Sequence, residues 1–275
     1  MRLALDHLTI VDSTPVQLAE TAANIGCTGV CVFLQAMEML PLMPHFDLIQ
    51  DHMARRHFRQ RMSDLGLTLD LAYPFTLSGR SEVASFAAAL DCAAELNAQC
   101  LNILIYDRDP ERRRDIFAQF CDLADSFGLR VALEFYPASQ VRSLSEALAL
   151  ILPLERPGRV GVNVDMLHLM RSGGTVADLA LAPAGSVLFG QFADGPAVRP
   201  QAEWEFEASQ DRLLAGAGAF DLAGFAQALP ADCPASVEIP RNAVLAAGLA
   251  RADRAQAAAQ SVRAAIANSG QKAAL

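Results

Sequence analysis

Short apolar runs and helix-length amphipathic stretches alternate along the whole chain. Runs rich in Val, Ile, Leu and Phe fall at residues 3–10, 29–34, 68–73, 101–106, 130–135, 160–165, 187–192 and 235–239. Each is too short for a helix and reads as a strand buried on both faces. Helical periodicity fills residues 15–25, 47–65, 82–96, 110–127, 144–154, 176–181 and 222–229, with a last helix from 243 to about 268. Gly26, Gly66 and Gly128 follow three of these helices and lead directly into strands, as helix caps do. The segment ADSFGLRVALEF shows the unit well: helix, Gly128, then a strand.

Eight strands alternating with eight helices predict an α/β fold, a single-domain (β/α)8 barrel over residues 1–275. An open doubly wound sheet is the alternative, weakened because no GxGxxG follows the first strand. In a barrel, function sits at the carboxyl ends of the strands. The irregular stretch 193–219, with Trp204, Glu205 and Glu207, is expected to be an active-site loop there.

Composition narrows the chemistry. The chain has 275 residues, 52% of them hydrophobic, and a net charge of −9. That describes a compact acidic globule and argues against broad nucleic-acid or anionic-membrane binding, which needs a basic face. Apolar stretches end at charges or prolines before membrane-spanning length. The first residues, MRLALDHLTI, carry Asp6 and His7 and read as a strand rather than a signal peptide. Six scattered cysteines without a CxxC pair suggest structural thiols in a reducing cytoplasm. The only lysine is Lys272, near the end. Schiff-base, pyridoxal-phosphate and P-loop mechanisms each need a placed lysine, so none is available. Electrophilic help must come from a metal, an arginine or backbone amides.

Four successive strand ends then stand out. Strand five ends VALEF with Glu134, strand six ends VNVD with Asp165, strand seven carries Gln191, and strand eight carries Glu238. Adjacent in a barrel, these side chains would converge at its mouth, and three carboxylates in a dry site need a compensating cation. A single divalent ion meets that need, and the oxygen donors favour Mg2+ or Mn2+, with Co2+ or Zn2+ also admissible. The plainer reading makes each acid an N-cap or a loop residue. Asp194, in ADGP, fits that reading as the organiser of the turn before Pro196. His168, three residues past Asp165, is read as facing substrate. Tyr73, ending strand three, and Trp204 are expected to contact substrate as well. His7 is a weak candidate, His52 and His57 are read as solvated, and His45 is placed near the mouth. The loop MLPLMPHF is left open as apolar lid, packing, or contact between copies in a homo-oligomer.

These residues resemble the xylose-isomerase-like TIM barrels, which include sugar-phosphate isomerases and epimerases, inosose dehydratases and isomerases, and 3-dehydroshikimate dehydratases. The resemblance runs from TPVQLAETAANIGCTGV to VEIPRN and rests on ALEF, NVDMLHL, QFADGP, VEIP and RLLAGAGAFDL. It implies metal ligation by Glu134, Asp165, Gln191 and Glu238, and substrate contacts by His168 and Arg212. Two departures matter: many members have His where Gln191 stands, and the family loop's Pro is Ala215 here.

By that resemblance the expected activity is a metal-dependent isomerase or epimerase acting on a sugar or polyhydroxy ketone. Glu134 and Glu238 would exchange the α-carbon proton of an enediolate, with His168 assisting. A dehydratase of the same family, losing a β-hydroxyl, is the nearest alternative. A phosphorylated substrate is not assured, because GAGAF is short enough to be a plain turn. Two other classes compete. An endonuclease-IV-like enzyme would need further histidines where strands three and four end in Tyr73 and Tyr106. A catalytically silent binding barrel remains open because fold does not fix function.

Overall fold

The apolar runs become the eight strands of a closed parallel barrel in the computed structural model, which describes the backbone of residues 2–272 and side chains to residue 267. In chain order the elements are β1 (Leu3–Asp6), α1 (Pro15–Asn24), β2 (Gly29–Phe33), α2 (His52–Asp64), β3 (Thr68–Leu77), α3 (Ala87–Glu95), β4 (Leu101–Ile105), α4 (Pro110–Ser126), β5 (Val131–Glu134), α5 (Leu144–Ile151) and β6 (Val160–Asp165). They continue with α6 (Met166–Arg171), α7 (Val176–Ala180), β7 (Val187–Phe192), α8 (Trp204–Gln210), α9 (Leu222–Ala228), β8 (Ala235–Val237), α10 (Asn242–Ala246) and α11 (Arg251–Lys272). Each strand pairs in parallel with the next, and β1 pairs with β8 to close the ring. The doubly wound alternative is excluded.

The strands are buried on both sides, and alternate residues serve different layers. Leu5, Val30, Val32, Ile103, Ile105, Leu133 and Val162 pack outward into the core beneath the helices. Ala4, Cys31, Leu71, Cys100, Ala132 and Phe189 fill the barrel interior. The interior residues low in the barrel are mostly small, as the narrow ring requires. Higher up, the same inward positions reach the mouth.

Several boundaries differ from the sequence expectation for physical reasons. β1 ends at Asp6, because its carboxylate turns inward and accepts from the Leu8 N–H, which starts a 3-10 turn over His7–Ile10. α2 begins at His52 rather than 47: Asp47 holds its own turn through the Ile49 and Gln50 amides, and Asp51 caps the helix. α6 continues the apolar run of β6 without a break, so hydrophobicity alone hides it. Stretch 193–219 is not wholly irregular, since it contains α8. The last helix is broken after α10, where Gly248 takes φ +85°, a left-handed conformation that favours glycine. The side chain of Lys272 lies outside the described residues.

Candidate metal and substrate site

Glu134 and Asp165 are the last residues of β5 and β6, Gln191 lies in β7, and Glu238 follows β8. Asp165 is in register with Gln191, and Glu134 with Asn163. Together with His168 and Arg212, the three outer members (Glu134, Gln191, Glu238) line a cavity of about 320 Å³ at the barrel mouth. Glu134, Asp165 and His168 each place one donor atom within 4.8 Å of the others, and all three are buried. His168 Nε2 stands 3.4 Å from Glu134 Oε1 and 3.9 Å from Asp165 Oδ2, and its ring packs on Tyr136 with centroids 4.7 Å apart.

The fully buried Asp165 has two jobs. Oδ1 accepts from the Leu167 and His168 amides and so caps α6, which is the plainer reading of a strand-end acid. Oδ2 turns into the site and accepts from Arg212 Nη1 at 2.6 Å. The same nitrogen donates to the Glu238 carbonyl at 3.2 Å and to Glu238 Oε2 at 3.3 Å. Compensation of the buried acids therefore begins inside the chain, with an arginine from the long β7 loop. α8 delivers that arginine: Arg212 Nε donates to the Ala208 carbonyl, and the helix is fixed by a buried, bidentate Arg171–Glu207 pair.

A polar network underlies the acids. Asn102 Nδ2 donates to Glu134 Oε2, Asn163 Nδ2 donates to Asn102 Oδ1 and to Gln191 Oε1, and Gln191 Nε2 donates to Asp6 Oδ2. Tyr73 donates its hydroxyl to Asp6 Oδ1 at 2.6 Å. Asp6, Asn102 and Asn163 were not singled out from the sequence. Their signal was a polar residue at an inward position of an otherwise apolar strand: Asn163 two residues before Asp165, Asn102 in register with Ala132 two residues before Glu134, and Asp6 one residue past the Leu5–Val237 pairing.

One guanidinium among three acids leaves the site short of positive charge. Burial pushes the Glu238 carboxyl well above its ordinary range, against Arg212 and aided by the Asp6, Asp165 and Glu134 charges. Burial would also raise Asp165, but Arg212 and His168 outweigh it and hold the group below the usual carboxylate range. Burial raises Asp6 to about 7, although Tyr73 and the Leu8 amide favour its charged form.

The remaining candidates divide. Tyr73 lines the cavity. Trp204 does not: its indole N–H donates to the Arg199 carbonyl, while Ala208 and Ser209 of α8 reach the cavity instead. Met37, Met39 and Leu40 place the methionine-rich loop in the cavity wall. His45, His52 and His57 are exposed. His7 is fully buried, bonded to the Ser13 carbonyl and the Phe33 amide, and burial lowers it to about 4. Asp194 organises more than one turn, accepting from the amides of Gly195, Gly216, Gly218 and Phe220. The GAGAF amides thus face a carboxylate of their own chain. Ala215, the departure from the family loop, donates its N–H to Ser261 Oγ, which a proline could not do.

Fold and site together define a (β/α)8 barrel whose mouth carries a buried, metal-competent cluster of acids and histidine. The chain belongs to the xylose isomerase-like TIM barrel family, whose sequence model matches residues 19–265. No curated protein matches it in sequence. Solved structures show the same fold at low identity. The IolI protein with a bound zinc atom is 18% identical with TM-score 0.79, over 98% of this chain and 99% of its own. The probable 3-DHS dehydratase AsbF of Bacillus anthracis, involved in petrobactin synthesis, is 15% identical with TM-score 0.73, over 94% and 97%. D-psicose 3-epimerase, solved in the presence of D-fructose, is 13% identical with TM-score 0.71, over 98% and 98%.

Proposed function

We propose that the chain is a divalent-metal-dependent isomerase or epimerase of a polyhydroxylated carbonyl compound. The observation that carries this reading is three buried acids at the barrel mouth: Glu134 and Glu238 line the cavity, and Asp165 is joined to Glu238 through Arg212. The donor set fits a hard or borderline cation: it is rich in oxygen, Glu134 and Asp165 place donor atoms within 4.8 Å of each other and of His168, and one guanidinium faces three carboxyl groups, of which burial pushes Glu238 well above its ordinary range. Glu134, Asp165 and Glu238 would hold the ion. Gln191 would add its amide oxygen, with Nε2 still anchored on Asp6. Once bound, the ion supplies Lewis-acid stabilisation of the negative charge that develops on the substrate oxygens when the α-carbon loses its proton.

The protein's own residues supply the proton transfers. Glu134 Oε1 faces the cavity beside His168, while Oε2 is fixed by Asn102, so one oxygen is positioned to accept the proton. Glu238 approaches from β8 and is placed to return a proton to the substrate. His168, braced by Tyr136, orients a substrate hydroxyl. Return to the same carbon from the other side gives an epimer, and return to the neighbouring carbon an aldose–ketose isomer. Loss of a β-hydroxyl would make the same site a dehydratase. The six cysteines are free and buried, which suits a reducing, cytoplasmic setting.

The test combines metal analysis of the purified protein with a screen, in Mn2+, of ketoses, inososes, 3-keto sugars and 3-dehydroshikimate, run in deuterated water. About one divalent ion per chain and deuterium at the substrate α-carbon are expected. Turnover that survives complete chelation would overturn the metal-dependent reading, and product analysis separates epimer, isomer and alkene.

A further inference from the structure

We infer that the substrate joins its polyhydroxylated part to a flat apolar group, which binds against β2, β3, β4 and the methionine-rich loop. This rests on the metal-site reading above, which it deepens by naming the substrate class.

The cavity is divided by composition. Glu134, His168, Gln191, Arg212 and Glu238 lie on one side, from β5 to β8 and the loop that follows β7. Phe33, Met37, Leu40, Phe75, Leu104 and Tyr106 make the other. Of the hydroxyl-bearing residues on that side, Tyr73 is already bonded to Asp6, which leaves Thr76 and Tyr106. A bare sugar lying across this wall would turn most of its hydroxyls towards Phe33, Met37, Leu40 and Leu104, which cannot bond them, and that disfavours burial. A ring or other flat apolar group suits it: methionines adapt to such surfaces, and the aromatic edges of Phe33 and Tyr73 already meet at right angles with centroids 4.2 Å apart. At about 320 Å³ the space falls in the range of pockets for compact organic ligands.

Binding of two probes to the full-length protein tests the inference: phenyl β-D-glucopyranoside and methyl β-D-glucopyranoside. They are followed by calorimetry and by the 13C-methyl signals of the methionines. The phenyl glucoside should bind at least about tenfold more tightly than the methyl glucoside, the scale of added apolar contact in a pocket. It should shift the Met37 and Met39 methyls. Met37→Gln and Leu40→Gln change partly exposed side chains, so folding should persist while the phenyl preference falls to within about threefold. Equal binding of the two glucosides, or no detectable binding of the phenyl glucoside, would overturn the inference. Metal content is measured on the same samples. A phenyl preference in protein that binds no divalent ion would sink the metal-site reading while leaving the apolar subsite standing.

Discussion

Phe33, Phe75 and Leu104 close one side of the barrel mouth with apolar surface, whereas Glu134, Gln191, Arg212 and Glu238 line the other with groups that all need partners. On the apolar side each residue contributes its own burial and little depends on its neighbour's chemistry. On the polar side every group is held by another: Glu134 by Asn102, Gln191 by Asp6 and Asn163, Asp165 and Glu238 by Arg212. The first side should therefore tolerate substitution and set which substrates fit. The second should fail sharply when one member is removed.

The largest expected effect is at Arg212. Arg212→Met leaves Asp165 and Glu238 buried together without their arginine, which should cost about 3–5 kcal/mol in urea unfolding of chelator-treated protein. Adding Mn2+ should restore part of that loss if the acids bind the ion. A loss below about 1 kcal/mol would place the arginine outside the electrostatic support of the site.

Next come the proton carriers. Glu134→Gln and Glu238→Gln keep an oxygen donor but remove the base, so turnover should fall by about a hundredfold or more while partial metal occupancy survives. His168→Ala should weaken substrate binding with metal content near the parent value. If metal is lost as well, His168 is a ligand, in line with its place beside Glu134 and Asp165. Full turnover in both glutamine variants would end the proton-transfer mechanism.

Asp6 and His7 carry the same comparison into adjacent residues. Asp6 belongs to the polar network, while the His7 ring stacks on Phe46 and tilts against Phe33. Their linkage to pH has opposite sign. Asp6, raised from 3.8 to about 7, contributes stability below pH 3.8 that is lost as pH rises towards 7. His7, lowered from 6.5 to about 4, contributes stability above pH 6.5 that is lost as pH falls towards 4. Each effect is about 3–4 kcal/mol across its window, so the two oppose each other. In thermal melts of metal-free protein from pH 4 to 6.5, Asp6→Asn should make the slope of stability with pH more positive than in the parent, and His7→Asn should make it more negative. Parallel profiles for the two variants would refute the assignment.

The smallest change is expected on the apolar side. Leu40→Ala, at a partly exposed wall position, should cost no more than about 1 kcal/mol in the same melts. A cost as large as that of Arg212→Met would mean that the loop supports the fold as well as lining the cavity.

The alternation of strands and helices, the barrel, and the three acids and one amide at four successive strand ends were legible in the sequence. They depend on local periodicity, and a strand ending in VALEF or VNVD declares which residue reaches the mouth. The α6 helix was not legible, since an apolar run does not reveal where β geometry gives way to α. The role of Trp204 was also out of reach: within α8 the helix phase turned Ala208 and Ser209 to the cavity and left the indole on the Arg199 carbonyl. Asp6, Asn102 and Asn163 were visible as inward polar residues but had no partners that the sequence could name.

What the sequence determined alone is the kind of side chain at each inward position. What only the tertiary structure decided is who answers whom. Asp165 finds its arginine 47 residues later, Asp6 meets Tyr73 67 residues away, and Gln191 reaches Asp6 across 185 residues. Period-two alternation is a property of a few neighbouring residues. The compensation of a buried charge is a property of the closed ring, which sets β8 beside β1 and folds the β7 loop back over β6.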